Sequence, residues 1–359
     1  MKAVEPPVKK NSLMSITYMR CLACLLVVVC HSQSFSQKLS VDGFDILFGY
    51  GGRIGELGVI IFFMISGYLM TYVHWGDFKN NKSLNFMKKR FFRVAPMYYL
   101  FTIITILAFI INRNWFPSTE INAKSSILSA FFIPDIFEKN SNRLVTPLSV
   151  GWTLCYEMFF YLLFSISLLM RRLTGLLFVI AVISAICLYG AIVPHSEKTL
   201  IGFYTSPIML YFVSGIVICA LQFKIKAKTD HGILVALVFI IGILACVISN
   251  LNEVVLFISL SLLFALATFV NTTGQGLTMS FVSYLGLASY SIYLCHRLVM
   301  GAVNAVASKT SFVDLSHSGQ YLYSAVMVLI SLIAGCICYS LIESKINAYS
   351  KREMKLATK

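Results

Sequence analysis

The chain has 359 residues, and its composition excludes an ordinary water-soluble enzyme. Hydrophobic residues make up 58% of it and charged residues only 12%, whereas typical soluble domains are about 25% charged. The formal net charge of +14 would suit a nucleic-acid partner, but in so apolar a chain it indicates cationic cytoplasmic loops between membrane helices. The composition therefore predicts a protein that crosses a membrane several times and binds no nucleic acid.

Ten apolar runs are long enough for membrane helices, which need about 20 residues each. In chain order they cover residues 14–34, 54–73, 94–112, 148–170, 173–193, 203–223, 231–249, 253–270, 281–307 and 321–342. The first run is no cleaved signal peptide, because Arg20 lies within it and no small-residue cleavage site follows. The pattern predicts an all-α bundle of about ten transmembrane helices surrounded by membrane lipid.

The distribution of Lys and Arg predicts which side of the membrane each loop faces. With the amino terminus inside, the inner segments hold twenty of these residues and the outer segments hold eight. This asymmetry fits the positive-inside rule, and an even number of spans then places both termini in the cytoplasm. We expect a transmembrane domain over residues 1–345 and a short basic cytoplasmic tail over residues 346–359.

The first span carries two ionisable residues, Arg20 and His31. Such residues are costly inside a membrane and are therefore functional candidates. Eleven residues at about 100° each return to nearly the starting direction, so both side chains lie on one helix face, about 16 Å apart. The structural alternatives are that Arg20 snorkels to the lipid headgroups and that His31 is a helix-end histidine at the interface.

The second span contributes a small-residue pair, and the inner loop before the third span contributes a cationic pair. Ser66 and Gly67 would allow a neighbouring helix to approach closely, as in many ordinary packing sites. Arg90 and Arg93 are three residues apart, hence on one side of a helix, and two guanidinium groups suit a multiply charged phosphate. Ordinary positive-inside charge is the alternative reading. Pro96 suits the first turn of the third span.

Polar residues also occur within the fourth, ninth and tenth spans. Glu157 lies about ten residues into its span, too deep to reach water, and needs an internal partner; a structural salt bridge is the alternative. Ser289, Tyr293 and His296 have i, i+4, i+7 spacing and form a polar stripe on one helix face. Glu343 ends the last span, where a basic neighbour could pair with it.

The order of these segments resembles the acyltransferase-3 family of integral membrane acyltransferases, which modify cell-surface sugars and other exported molecules. The matching residues are Arg20, Ala23 and His31; Gly58 to Gly67; Arg90, Arg93 and Pro96; Trp152 to Glu157; Ser289 to His296; and Leu341 to Glu343. The second and third segments look most like the exopolysaccharide-acetylating branch in bacteria. Ser344 departs from the family, which often has a basic residue and a proline after this last motif, so no specific role for Glu343 is implied.

The resemblance implies an enzyme of the bacterial plasma (inner) membrane. It would transfer an acyl group, usually acetyl, from cytoplasmic acyl-CoA to a hydroxyl of a cell-surface or lipid-linked polysaccharide. Acyl-CoA is then a co-substrate, and neither a bound cofactor nor a metal ion is expected.

Roles for individual residues follow from this reading. His31 would act as base or acyl carrier, and Glu157 would orient it. Arg90 and Arg93 would bind the phosphates of CoA, and polar groups of the ninth span would donate hydrogen bonds to the thioester or a developing oxyanion. The full set of expected substrate-binding residues is Arg20, Arg90, Arg93, Ser66, Trp152, Ser289, Tyr293 and His296.

The alternative function is a secondary transporter or flippase for an anionic or sugar-lipid substrate. It would explain ten spans and buried ionisable residues without any chemistry. Transporters often carry inverted repeats and broken helices, however, and this sequence shows no repeat. A receptor or scaffold is a third alternative, but neither would need the six motif segments that resemble the acyltransferase-3 family. Product formation from labelled acyl-CoA distinguishes the enzyme from the other two classes.

Overall fold

The computed structural model describes residues 14–37, 45–47, 49–80, 82–115, 120–138, 143–193, 195–196, 198–225, 232–249, 251–269, 277–307, 309 and 316–356. Within these ranges the regular structure is almost entirely helical, which confirms the all-α class. Several lysines used to predict the orientation lie outside them, namely Lys2, Lys9, Lys10, Lys38, Lys139, Lys226, Lys228 and Lys359. The cytoplasmic placement of both termini and the division at residue 345 stay predictions.

Thirteen α-helices occur in the described part of the chain. They are α1 (Met14–Ser36), α2 (Gly51–Val73), α3 (Ser83–Ile111), α4 (Ala123–Ala130), α5 (Trp152–Ser167), α6 (Arg172–Ile192), α7 (Leu200–Tyr204), α8 (Leu210–Ile225), α9 (Gly232–Ile248), α10 (Glu253–Thr268), α11 (Leu277–Ala307), α12 (His317–Cys338) and α13 (Ser344–Leu356). A π-helical turn, Tyr339–Glu343, joins α12 to α13. A small antiparallel hairpin, β1 (Ile136–Glu138) and β2 (Arg143–Val145), was not expected from the sequence.

Among the residues that the structure describes, seven helical segments are long and apolar enough to cross a membrane, so the chain is a multi-pass membrane protein. They are Met14–Ser36, Gly51–Val73, Ser83–Ile111, Ser149–Ser167, Arg172–Ile192, Leu200–Ile225 and His317–Ser350. Two shorter apolar helices, Leu234–Ile248 and Glu253–Thr268, and the 31-residue α11 cover the other three predicted spans. The predicted total of about ten spans stays a prediction.

Helix α3 begins much earlier than the sequence predicted. The expected span starts at residue 94, with Pro96 in its first turn, but the helix starts at Ser83 and contains Pro96 in its interior. The prediction was wrong because a hydropathy criterion stops where charged residues begin, whereas the hydrogen-bonded helix continues through the cationic turns. Arg90 and Arg93 therefore lie on a helix rather than in a loop.

One compact unit comprises Met1–Gly76 and Tyr211–Cys336, and within it α1 packs against α2 and α11. Glycine allows two of its helix pairs to approach closely. A Cβ atom on Gly286 of α11 would overlap the backbone carbonyl of Thr17 on α1, and a Cβ on Gly67 of α2 would overlap that of Phe212 on α8. The close approach predicted at Gly67 is thus confirmed.

The second compact unit comprises Asp77–Leu210 and Ile337–Lys359. In it α5 packs against α3 and α6, and α13 packs against α3. Its interior is largely aromatic, with Phe86, Tyr98, Phe160 and Phe164 almost completely buried. These large side chains hold α3 and α5 in a fixed relation, and both helices carry candidate site residues.

Candidate functional site

The polar face of α1 meets the polar stripe of α11 within the first unit. The guanidinium of Arg20 donates hydrogen bonds from Nε (3.2 Å) and Nη2 (3.1 Å) to Oγ of Ser289. Ser289 is buried, and its hydroxyl donates to the carbonyl of Gly286 at 2.8 Å. A hydrogen bond from this hydroxyl to a substrate would therefore require it to turn away from Gly286.

Further along the same two helices, three turns on α1 and two turns on α11, His31 and His296 form a second contact. Their rings stack with centroids 5.2 Å apart and an angle of 30° between planes. Tyr293 lies beside this pair, with its ring centroid 5.9 Å from that of His296 and 5.8 Å from that of Phe62 on α2. The structure thus brings together five residues that the sequence predicted: Arg20, His31, Ser289, Tyr293 and His296.

The hydrogen bonding of His296 indicates which ring nitrogen carries the proton. Its Nδ1 lies 2.7 Å from the carbonyl oxygen of Tyr293, and a carbonyl can only accept, so Nδ1 carries the hydrogen. In the neutral ring Nε2 then carries a lone pair and no hydrogen. This nitrogen is fully buried and has no hydrogen-bond partner among the described residues. Neutral His296 would accept a proton or a hydrogen bond, so the expected donation to an oxyanion would require the protonated ring.

Ser66, the remaining predicted site residue of this unit, is half-buried on α2, immediately before Gly67. The contact of Gly67 with α8 holds this part of α2 close to its neighbour. A substrate contact by Ser66 stays a prediction.

In the second unit, Arg90 of α3 lies near two aromatic side chains, and one of them, Tyr161, also contacts Glu157 of α5. The guanidinium carbon of Arg90 is 5.7 Å from the ring centroid of Phe86 and 5.8 Å from that of Tyr161. The Tyr161 hydroxyl donates to Oε1 of Glu157 at 2.5 Å. The internal partner expected for Glu157 is therefore present. Because His31 belongs to the first unit, the orienting role of Glu157 toward it stays a prediction.

Arg93 forms an ion pair with Glu343. Nη1 of Arg93 lies 2.7 Å from Oε1 of Glu343, and the Arg93 side chain is 31% exposed whereas that of Glu343 is 1% exposed. Glu343 ends the π-helical turn, and Nδ2 of Asn347 donates to the same carboxylate oxygen at 3.4 Å. The basic neighbour expected for Glu343 is confirmed, and it is one of the two arginines expected to bind phosphate.

Trp152, at the start of α5, packs against an arginine that the sequence did not single out. The guanidinium carbon of Arg143, on β2, lies 4.2 Å from the Trp152 ring centroid, within cation–π distance. The Tyr156 ring meets the same indole edge to face at 5.9 Å. One face of Trp152 is therefore covered by Arg143.

Sequence reasoning also missed Gln320, since the predicted tenth span begins one residue later. Gln320 is completely buried on α12, and neither Oε1 nor Nε2 has a hydrogen-bond partner among the described residues. The signal that could have identified it is a polar face: Gln320, Ser324 and Ser331 recur at helical spacing and are all buried. Ser324 shares a 2.6 Å hydrogen bond with Ser32, the neighbour of His31 on α1.

Comparison with known proteins matches nearly the whole chain to one family. The model of the acyltransferase domain, acyltransferase-3, matches residues 14–342. The exopolysaccharide production protein ExoZ of Rhizobium meliloti is 29% identical over 263 residues, which are 71% of this chain and 80% of that protein.

Two further relatives are named as O-acetyltransferases. The O-acetyltransferase OatA of Staphylococcus aureus is 27% identical over 329 residues, 82% of this chain but only 53% of that longer protein. The peptidoglycan O-acetyltransferase OatA of Listeria monocytogenes is 27% identical over 188 residues, 47% of this chain and 29% of the relative. No solved structure matches the chain.

Proposed function

Because the chain belongs to the acyltransferase-3 family, we propose that it is a membrane-bound O-acetyltransferase of the bacterial plasma membrane. It transfers an acetyl group from acyl-CoA, supplied on the cytoplasmic side, to a hydroxyl of a cell-surface or lipid-linked polysaccharide. The names of the relatives support this acceptor class: one is an exopolysaccharide production protein and another a peptidoglycan O-acetyltransferase.

The observation that carries the proposal is the stacked pair His31 and His296, formed by the same two helices as the contact of Arg20 with Ser289. An imidazole is the side chain best suited to take a proton from a hydroxyl near neutral pH. Placing four polar or ionisable side chains within two apolar helices costs free energy, and such residues in membrane spans usually serve a function. Their collection at this place supports a reacting centre rather than four separate packing sites.

In the reaction, His31 removes the proton from the acceptor hydroxyl while the hydroxyl oxygen attacks the thioester carbonyl. The carbon–sulfur bond breaks, and the proton passes to the departing thiolate, giving the acetyl ester and free CoA. In the variant of this scheme with an acyl-enzyme, His31 first takes the acetyl group and then transfers it. In both schemes the neutral, Nδ1-protonated His296 presents the Nε2 lone pair beside His31.

Arg90 and Arg93 are the proposed anchors for the phosphates of CoA. Both guanidinium groups lie in the cationic part of α3, and the Arg93 side chain is 31% exposed; paired guanidinium groups suit a multiply charged phosphate. In the proposal Glu343 keeps Arg93 oriented, and Tyr161 does so for Glu157 through its 2.5 Å hydrogen bond.

The test is mass spectrometry of surface glycans from matched cells with the gene, without it, and with the His31→Ala variant. We expect the acetyl mass increment to be present with the wild-type gene and absent in the other two. The exposed histidine of α12, in a His317→Ala variant, is the matched control and should retain acetylation. Glycans that are identical with and without the gene would contradict the proposed acceptor class. Full acetylation by His31→Ala would contradict the assigned base.

A further inference from the structure

A completely buried glutamine with two unpaired polar atoms lies on α12. Gln320 has 0% relative exposure, and both its amide oxygen and its amide nitrogen are without hydrogen-bond partners among the described residues. Burying an amide without partners is strongly unfavourable, and such groups in native proteins need an explanation. The other buried polar side chains of this face are paired: Ser324 bonds Ser32, and Ser331 donates to the carbonyl of Met327 at 2.7 Å.

The position of Gln320 relative to the histidine pair follows from the contacts of α12 within the first unit. Gly335 packs on Ile292, and the Tyr323 hydroxyl donates to Oδ1 of Asn304 at 3.4 Å, so α12 runs antiparallel to α11. This register places Gln320 level with the last turn of α11, about 16 Å along the axis from the level of His296.

A second contact connects the same face of α12 to α1. Ser324, one turn from Gln320, meets Ser32, which directly follows His31. The unpaired amide therefore belongs to a face of α12 that contacts α1 next to His31, while the register with α11 keeps it about 16 Å along the axis from the level of His296.

The chemistry of the two free atoms indicates what they would bind. A carboxamide offers one acceptor and two donors side by side, and neighbouring hydroxyls of a sugar present the complementary pattern. A second buried polar atom in the same unit, Nε2 of His296, also has no hydrogen-bond partner among the described residues, and its lone pair would accept from a hydroxyl or another donor. An acceptor with several hydroxyl groups would satisfy both positions, whereas a thioester offers no donor to either.

We propose that Gln320 is a sugar-binding residue that recognises hydroxyl groups of the polysaccharide acceptor next to the unit that is acetylated. The inference rests on the proposed function and adds to it a specificity residue and an acceptor subsite on α12. Because the amide is remote from the reacting atoms, it contributes to acceptor affinity and not to the chemical step.

The test compares the wild type with Gln320→Met, which keeps the length of the side chain and removes its hydrogen bonds. Acetyl transfer is measured in membranes with labelled acetyl-CoA and with polysaccharide from cells that lack the gene as the acceptor. We expect the KM for polysaccharide to rise roughly 10- to 100-fold, while kcat and the KM for acetyl-CoA stay unchanged. Gln320→Asn, which withdraws the amide by one methylene group, should raise the same KM by less.

Gln222 of α8 is the matched control, because both of its amide atoms are paired. Its Oε1 accepts from the Tyr68 hydroxyl, and its Nε2 donates to the carbonyl of Thr268 at 2.7 Å. We expect Gln222→Met to lower the Tm and leave the acceptor KM unchanged. Gln320→Met should not lower the Tm of the free protein, because it removes an unsatisfied amide.

Binding is measured separately as the rise in Tm when the same polysaccharide is added without acetyl-CoA. A polysaccharide-induced rise in Tm that occurs in the wild type and is lost in Gln320→Met supports the subsite. This result would support the subsite even if no acetyl transfer were found, because the absence of transfer would refute only the proposed function. An acceptor KM and a polysaccharide-induced Tm rise that are both unchanged in Gln320→Met would overturn the inference while leaving the proposed function intact.

Discussion

Replacing Arg93 with alanine should destabilise the protein more than replacing Glu343 with alanine, although both changes break the same 2.7 Å ion pair. The asymmetry comes from burial. The Glu343 side chain is 1% exposed, so without Arg93 its carboxylate would be buried and uncompensated. Removing one partner of a buried pair in this way costs about 3–5 kcal/mol. Arg93 is 31% exposed and can take up water when Glu343 is lost, so that change should cost about 1–2 kcal/mol.

The assay is reversible unfolding of the purified protein in mixed micelles for both single variants and the double variant. In the double variant neither charge remains, so its loss of unfolding free energy should be smaller than the sum of the two single losses. The exposed pair Lys82 and Asp77, also in the second unit, is the control; its side chains are 52% and 24% exposed. Removing either of these should change the unfolding free energy by no more than about 1 kcal/mol. Equal losses for Arg93→Ala and Glu343→Ala, or strictly additive ones, would refute the reasoning.

Four further substitutions have definite expected outcomes. His31→Ala should reduce acetyl transfer by at least roughly 100-fold with normal expression, as measured with labelled acetyl-CoA in membranes; near-normal turnover would remove it from the mechanism. Gly67→Ala should lower the unfolding free energy by about 1–3 kcal/mol, because its Cβ overlaps a backbone carbonyl of α8. Gly301→Ala, with nothing within 4 Å of the new Cβ, should be neutral or stabilising by about 0.5–1 kcal/mol; equal effects of the two glycine changes would contradict the packing. Tyr161→Phe should cost about 1.5–3 kcal/mol in unfolding free energy through the lost hydrogen bond to Glu157, and unaltered thermal unfolding would exclude that bond.

The sequence alone was sufficient for statements that depend on local periodicity and composition. Long apolar runs predict membrane helices because the bilayer interior demands about 20 apolar residues with internally satisfied backbones. Helical geometry likewise predicts that Arg20 and His31 share one face of α1, and that Ser289 and His296 share one face of α11. Both predictions agree with the structure, in which each residue of the first pair contacts one of the second.

Local reasoning was wrong where a helix continues past its apolar part. A hydropathy window ends at the first cluster of charges, but α3 extends through Arg90 and Arg93 to Ser83. Backbone hydrogen bonds and the packing of buried Phe86 continue the helix there, since neither depends on hydropathy averaged over a span. For the same reason the predicted tenth span excluded Gln320, which lies in the first turn of α12.

Only the tertiary structure decided which residues meet. Arg20 and Ser289 are 269 positions apart in the chain, and Arg93 contacts Glu343 across a similar separation. Periodicity specifies the face on which a side chain lies but carries no information about which other helix covers that face. That choice depends on the close approach at Gly286, on the aromatic packing between α3 and α5, and on the π-helical turn before α13. The sequence thus determined the membrane class and the polar faces of single helices, and helix packing determined the pairs that those faces form.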